Sequence, residues 1–363
     1  SLNLFRTRPD LFPAVMSKKD EILPIEKVQE GKIRLFFGVN AIQNWDAKIM
    51  FAPLWARMRE FGQAHGFMVG TPFGVFTECE HLAREHFSHA GYSLVQGDIS
   101  GFQRTRHKIQ WTARRDAIKR FYDPVHHADI DRIYEANYNP HVALGKQCFQ
   151  LHDILLSGNN ETAEANTLDV LVAIRFCARM RGAIEDLKRL YAYGDDFTGV
   201  VVENGKVSNW TLREDFARYF GWALTPPDKS ENYPRYYTLS EFSFCKRVFN
   251  SSGALVRPYS ELQLAGGWKK KNPYMDTALQ AIHSSLTEAK RYYDRGATYD
   301  KLMAYFKEHT NYTSSELGEF VAFGGKTKRR GVFKRTTLLS EPHRDEPFPA
   351  VTTVPREPPS QRV

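Results

Sequence analysis

The sequence predicts an α+β fold, and three observations carry that expectation. Residues 191–202 read YAYGDDFTGVVV, two apolar runs around Gly194-Asp195-Asp196, and Glu203-Asn204-Gly205-Lys206 follows. Asn-Gly beside strand-like runs is the strongest short hairpin signal, so a hairpin is expected there. Residues 43–65 and 162–187 carry apolar side chains at helical spacing, with Pro53 as a bend in the first. Residues 275–293 and 299–309 are amphipathic helices that suit a small helical subdomain.

The acidic pair inside the hairpin sets the functional question. Asp195 and Asp196 repel one another, and unpaired charge is costly to bury. A divalent cation would answer both problems, and Gly194 would let another chain or a ligand come close. An acidic surface turn is the competing reading. The chain has 363 residues, enough for a sizeable core and two or three subdomains. Hydrophobic residues make up 42% and charged residues 25%, the balance of an ordinary soluble protein. A formal charge of +8 favours an anionic partner. No apolar run reaches membrane-spanning length, and no signal segment opens the chain. Cys79, Cys148, Cys177 and Cys245 lie far apart without metal-binding spacing, so free thiols in a reducing compartment are expected.

The remaining elements follow in order. Lys18, Lys19, Lys27, Lys32 and Arg34 make a basic segment with a turn at Glu30-Gly31-Lys32. Lys32 and Arg34 share one strand face, which suits either phosphate binding or a solvated hairpin. Ile33, Leu35 and Phe36 anchor that strand in a core. In residues 43–65 the expected core face is Met50, Leu54, Met58 and Phe61. A turn at 69–74 and a helix over 77–89 come next. A short strand ends at Asp98, followed by a basic helical stretch over 104–122; an Asp after a strand is more often a cap or turn residue. Ser157-Gly158 opens a loop into the helix at Thr162, where Thr162 and Asn166 share one face and either aim at a ligand or cap the helix start. A helix over 211–222 leads to the turn Pro226-Pro227-Asp228-Lys229. Residues 242–249 alternate apolar and basic around a turn. The tail from about 327 is basic and Pro-rich, and 341–363 are not expected to pack.

Taken together, these segments resemble the RNA-dependent RNA polymerases of picornavirus-like positive-strand RNA viruses. KDE…EK…GKIR resembles the phosphate-binding fingertip, DISGFQ the first palm motif and SGNNETAEANT the second. YGDD resembles the third, LTPPDKS the lysine-bearing fourth and FCKR the primer-gripping hairpin. Their order and spacing also agree, and together they cover roughly residues 18–320.

The resemblance implies a right-hand fold with an antiparallel-sheet palm, partial fingers and a mostly helical thumb. Residues 1–92 would supply fingertip and fingers segments, 93–250 the palm with inserted fingers helices, 251–330 the thumb and 331–363 a tail. The family carries more fingers sequence before its first lysine motif, so a C-terminal core, a fragment or a shortened relative is expected. The implied reaction is template-directed nucleotidyl transfer from a nucleoside triphosphate to an RNA 3′-hydroxyl, with RNA template and primer as partners. Two Mg²⁺ ions, replaceable by Mn²⁺, would be held by Asp98, Asp195 and Asp196. Lys229 would protonate pyrophosphate. Lys19, Lys27, Lys32 and Arg34 would neutralise phosphate charge. Ser157, Thr162 and Asn166 would read the ribose 2′-hydroxyl together with Gln103, which stands where the family has aspartate and so implies altered sugar recognition. Lys246 and Arg247 would hold the primer backbone. The setting implied is a viral replication complex in host cytoplasm, reaching membranes through other replication proteins. An inactive RNA-binding relic and a reverse-transcriptase-like polymerase are the alternatives.

Overall fold

A computed structural model describes residues 13–18, 29, 31, 35–70, 80, 84–86, 89–102, 107–144, 147–251, 254–267 and 277–322. Its strands are β1 (Ala14–Lys18), β2 (Leu35–Gly38), β3 (Tyr92–Ser100), β4 (His141–Leu144), β5 (Gln147–Gln150), β6 (Leu187–Tyr193), β7 (Asp196–Val202), β8 (Ala223–Thr225), β9 (Val248–Phe249) and β10 (Leu255–Val256). Its helices are α1 (Ala41–Phe61), α2 (Lys108–Lys119), α3 (His127–Tyr138), α4 (Thr162–Met180), α5 (Asn209–Asp215), α6 (Tyr259–Gln263), α7 (Thr277–Ala289), α8 (Ala297–His309) and α9 (Ser314–Ala322).

An antiparallel sheet in the order β6-β7-β3-β8 forms the centre. The interiors of β3 and β7 are buried on both faces, which is why their sequences run apolar rather than alternating. Leu94, Val95, Ile99, Phe197, Val200 and Val201 join Val170, Ile174, Phe216 and Trp222 in one core. Two polar residues sit in the middle of this sheet. Gln96 lies opposite Thr198, and its amide donates to Glu241 O at 2.9 Å and accepts from Ser243 N at 3.0 Å. A buried glutamine thereby ties the segment after β8 to the sheet, its hydrogen bonds met as burial requires.

The hairpin turn lies elsewhere than the Asn-Gly signal places it. Tyr193 pairs with Asp196, so the β6–β7 loop is Gly194 and Asp195. Gly194 has φ +64, at the first central position where a two-residue loop of the II′ kind favours glycine. Asn204-Gly205 instead turns the chain out of β7. Asn204 Oδ1 accepts from Lys206 N at 3.0 Å, and Ser208 then caps α5 through Thr211. The Asn-Gly signal marks a real turn, but its partner is a capped helix rather than a strand. The helix expected over 211–222 is α5 continued by a π turn, Phe216–Phe220, and closed by Gly221 at φ +65.

A second sheet runs β2-β1-β4-β5, with β1 and β4 parallel. Of Ile33, Leu35 and Phe36, expected to anchor a core, Ile33 lies outside the described residues and the other two are exposed, because β2 is the edge strand and Phe37 is the residue that packs inward. In α1 the buried stripe is Ala47, Phe51 and Trp55, and Phe61 is exposed. The expected face was thus rotated by about one position; the larger rings of Phe51 and Trp55 fill the space against α2 and α3, with Met50, Leu54 and Met58 at its margin. Helices α6 to α9 share a separate cluster of Leu262, Ile282, Leu286, Leu302, Phe306 and Leu317. The helix expected over 77–89 falls mostly, and the tail beyond 322 wholly, outside the described residues. Cys148, Cys177 and Cys245 are free thiols. No helix among the described residues is long and apolar enough to cross a membrane.

Candidate active site

Strand register brings the acidic residues together. Asp98, near the end of β3, pairs with Asp196 at the start of β7, and on its other side with Thr225 of β8. Paired residues on neighbouring strands project to the same face. Asp195 occupies the loop immediately before Asp196. Burial, then the Asp195 carboxylate, push the Asp196 carboxyl up to about 7, with Lys246 opposing. The hairpin turn at Cys245-Lys246 lies against this group: both residues have positive φ, as a I′ turn requires, and Phe244 and Arg247 exchange both backbone hydrogen bonds at 3.0 Å. Burial and the neighbouring Asp196 push the Cys245 thiol far above its ordinary range, so it is no nucleophile.

Lys229 meets Asp98 from the β8 side. Its nitrogen bonds Pro226 O at 3.0 Å and its φ is +60, which turns the side chain back over the sheet end. Lys229 Nζ donates to the Asp98 carboxylate and to Thr225 Oγ1 at 3.1 Å, while Thr225 Oγ1 donates to Asp98 O at 3.0 Å. An ammonium group therefore already partners one of the three carboxylates.

The loop before α4 is held from outside. Asn44 of α1 donates to Gly158 O at 3.2 Å and accepts from Asn160 N at 3.0 Å. Gln43 donates to Asn137 Oδ1 at 3.0 Å, and Asn137 donates to Glu161 Oε1 at 2.9 Å. Glu161 is fully buried, and burial raises its pKa; its Oε2 has no hydrogen-bond partner among the described residues. Thr162 Oγ1 donates to Leu156 O at 2.7 Å, with Asn159 O the more distant acceptor of the same proton at 3.1 Å, so this hydroxyl ties down its own loop. Ser157 Oγ is buried without a hydrogen-bond partner among the described residues, and Asn166 is buried one turn along the helix.

Not every expected residue joins the group. Arg247 pairs with Glu288 at 2.8 Å and is largely buried, whereas Lys246 is exposed and reaches Glu261 at 3.4 Å. Lys19, Lys27, Lys32, Arg34 and Gln103 lie outside the described residues. Asn44, Glu161 and Cys245 belong to this neighbourhood although no sequence motif gives them a role, and Thr167 closes the SGNNETAEANT segment with none implied for it. Asn44 carries no local signal at all, since its contacts span 114 and 116 positions.

The donor set suits a hard divalent cation. Carboxylates on adjacent strands and in the loop between strands supply oxygen donors of the kind such a cation takes. Among the described residues, no three His, Cys, Asp or Glu side chains are drawn in tightly enough to hold an ion as they stand.

The family profile described as viral RNA-dependent RNA polymerase matches residues 14–266, a span that contains all of these elements. The chain belongs to the viral RNA-dependent RNA polymerase family. It is 24% identical over 307 residues to the genome polyprotein of encephalomyocarditis virus (strain emc-b nondiabetogenic), covering 80% of the chain and 12% of the polyprotein. Identity to the genome polyprotein of Theiler's murine encephalomyelitis virus (strain GDVII) is 26% over 289 residues, covering 73% and 12%. The chain thus spans about an eighth of the length of these polyproteins. Among solved structures, the Sicinivirus 3Dpol RNA dependent RNA polymerase superposes with a TM-score of 0.69 at 17% identity, covering 85% of this chain and 64% of that one. The polymerase fold is therefore the right-hand α+β architecture the sequence predicts.

Proposed function

We propose that the chain performs template-directed RNA synthesis, joining a nucleoside triphosphate to an RNA 3′-hydroxyl in viral genome replication. The observation that carries this reading is the register of Asp98 against Asp196, with Asp195 in the adjoining loop and Lys229 on Asp98, in a chain of this family. Asp98, Asp195 and Asp196 would hold two Mg²⁺ ions, or Mn²⁺ in their place. When bound, such ions lower the pKa of the attacking hydroxyl and neutralise the leaving pyrophosphate.

The chain's own residues do the rest. Lys229 Nζ is the proton donor to the departing pyrophosphate oxygen, and leaving Asp98 frees it for that task. Ser157, whose buried hydroxyl has no hydrogen-bond partner among the described residues, and Asn166 meet the ribose hydroxyls; Thr162 holds the loop in place for them. Gln103 completes that sugar contact. Lys19, Lys27, Lys32 and Arg34 receive the triphosphate. Lys246 lies along the primer, and Arg247 reaches it only on leaving Glu288; contacts of this kind bind RNA without reading its sequence and weaken with salt. Residues 1–92, 93–250 and 251–330 serve as fingers, palm and thumb. Template, primer and nucleotides are the partners, with other replication proteins supplying any membrane contact in the host cytoplasm.

Single-nucleotide extension of an annealed RNA primer-template with Mg²⁺ tests the reading. The native chain should extend and Asp195→Ala should not. Extension by Asp195→Ala at the native rate would overturn it, and failure of both with RNA binding intact would favour a retired polymerase.

A further inference from the structure

Thr167 has no exposed surface, yet it is polar on both sides. Its Oγ1 donates to Ala163 O, one helical turn back, at 2.7 Å and accepts from the Gly194 N–H at 2.7 Å. A hydroxyl has one hydrogen to give. Because Ala163 takes it, the oxygen faces Gly194 as an acceptor only. Threonine in a helix has few side-chain rotamers, and one of them makes this bond to the preceding turn. The position of the acceptor is therefore set by α4 itself. Gly194 is a loop residue of the β6–β7 hairpin, outside its ladder, and its buried N–H would otherwise be left unmet. The next two residues are Asp195 and Asp196, and the residue before Thr167 is Asn166.

We propose that Thr167 is a positioning residue: it fixes the Gly194-Asp195 loop against α4, and so holds the acidic group in register with the helix that carries the sugar-facing asparagine. The inference rests on the polymerase reading for its catalytic consequence, but not for its effect on cation binding. It also accounts for a hydroxyl at a helix position whose neighbours Ala163, Val170, Leu171 and Ile174 are apolar.

The test uses the full chain and three variants. Thr167→Val keeps the shape and removes the acceptor; Thr167→Ser keeps the hydroxyl; Thr167→Cys keeps the volume with a weaker acceptor, should valine prevent folding. Mn²⁺ binding is titrated by electron paramagnetic resonance, alongside thermal melting and the Mg²⁺ dependence of extension. Thr167→Val should weaken Asp195-dependent Mn²⁺ binding roughly 10- to 100-fold, the range seen when the support of a ligand is removed, and raise half-saturating Mg²⁺ to match. Serine should restore both, and cysteine should fall between. Native Mn²⁺ binding in the valine or cysteine variant overturns the proposal, even if melting drops, because a merely structural hydroxyl would move stability alone. Absence of Asp195-dependent Mn²⁺ binding in the native chain also overturns it. Native Mn²⁺ binding with no primer extension, by contrast, would remove the polymerase reading and leave the valine effect to be read on the metal.

Discussion

Gly158→Ala probes the closest approach between the loop before α4 and β2. A methyl carbon at Gly158 would land inside the van der Waals envelope of the Phe37 carbonyl oxygen and 3.1 Å from its carbonyl carbon. Ordinary carbon contacts begin at about 3.5 Å. Both groups that collide are held by backbone, so no flexible side chain can swing away. Either β2 or the loop must retreat by more than about 1 Å, and the Asn44 bonds to Gly158 O and Asn160 N oppose the second course. Overpacking of this sort costs about 1–3 kcal/mol. At the site, a displacement of about 1 Å can lower turnover by about 100-fold. Extension kinetics and thermal melting on the same preparation check both figures. Gly318→Ala in α9 is the control, because its methyl meets nothing within 4 Å and it should be neutral or slightly stabilising. Native extension and native melting by Gly158→Ala would refute the argument that this glycine exists to admit Phe37.

Three further outcomes follow from buried groups. The Glu161 carboxyl is raised above the ordinary 4.5 by burial, so the folded state holds its proton more tightly than the unfolded chain. That stability is present below 4.5 and lost as pH rises through the folded value. Glu161→Gln keeps an acceptor for Asn137, and urea melts from pH 5 to 8 should show a flatter decline than in the native chain; an identical slope would contradict the buried-acid account. Arg114 and Asp169 form an ion pair with side chains 6% and 10% exposed. Arg114→Met should lose about 3–5 kcal/mol, and pairing it with Asp169→Leu should recover much of that in a double-mutant cycle. Gly97→Ala would set a methyl 2.7 Å from the Tyr233 hydroxyl, which donates to Gln96 O at 2.9 Å. It should lower the melting temperature by several degrees, and Tyr233→Phe should recover part of that loss by removing the nearest obstacle.

Much of this was legible in the sequence because the chemistry is confined to short segments. β3 and β7 announce themselves as apolar runs, with Asp98 and Asp196 near their ends, Asp195 in the adjoining loop and Lys229 in the turn after β8. What the sequence hid is pairing. Nothing local says that Asp98 faces Asp196 rather than Asp195, since a one-residue change in loop length would exchange them. The Asn204-Gly205 signal was stronger than Gly194-Asp195, yet the capped start of α5 took it. Thr167 reads as an ordinary helix residue until Gly194, 27 positions away, is seen to need an acceptor. The face of α1 was misjudged because methionine and leucine fit several core positions, while Phe51 and Trp55 fit few.

The joining of β3 to strands far along the chain has a consequence for when this acidic cluster can assemble. Lys229 and Asp98 are separated by 131 positions, and the β3–β7 and β3–β8 pairings that assemble their surroundings span distances of similar order. Contacts of such long range form late and slowly, because the intervening chain must be closed before they return any stabilisation. A ribosome that has released β3 but not β8 has made Asp98 without Thr225 or Lys229. The acidic end of the sheet therefore has no early precursor: Asp98 stands without Thr225 and Lys229 until the strand carrying Thr225 and the turn after it have emerged and docked.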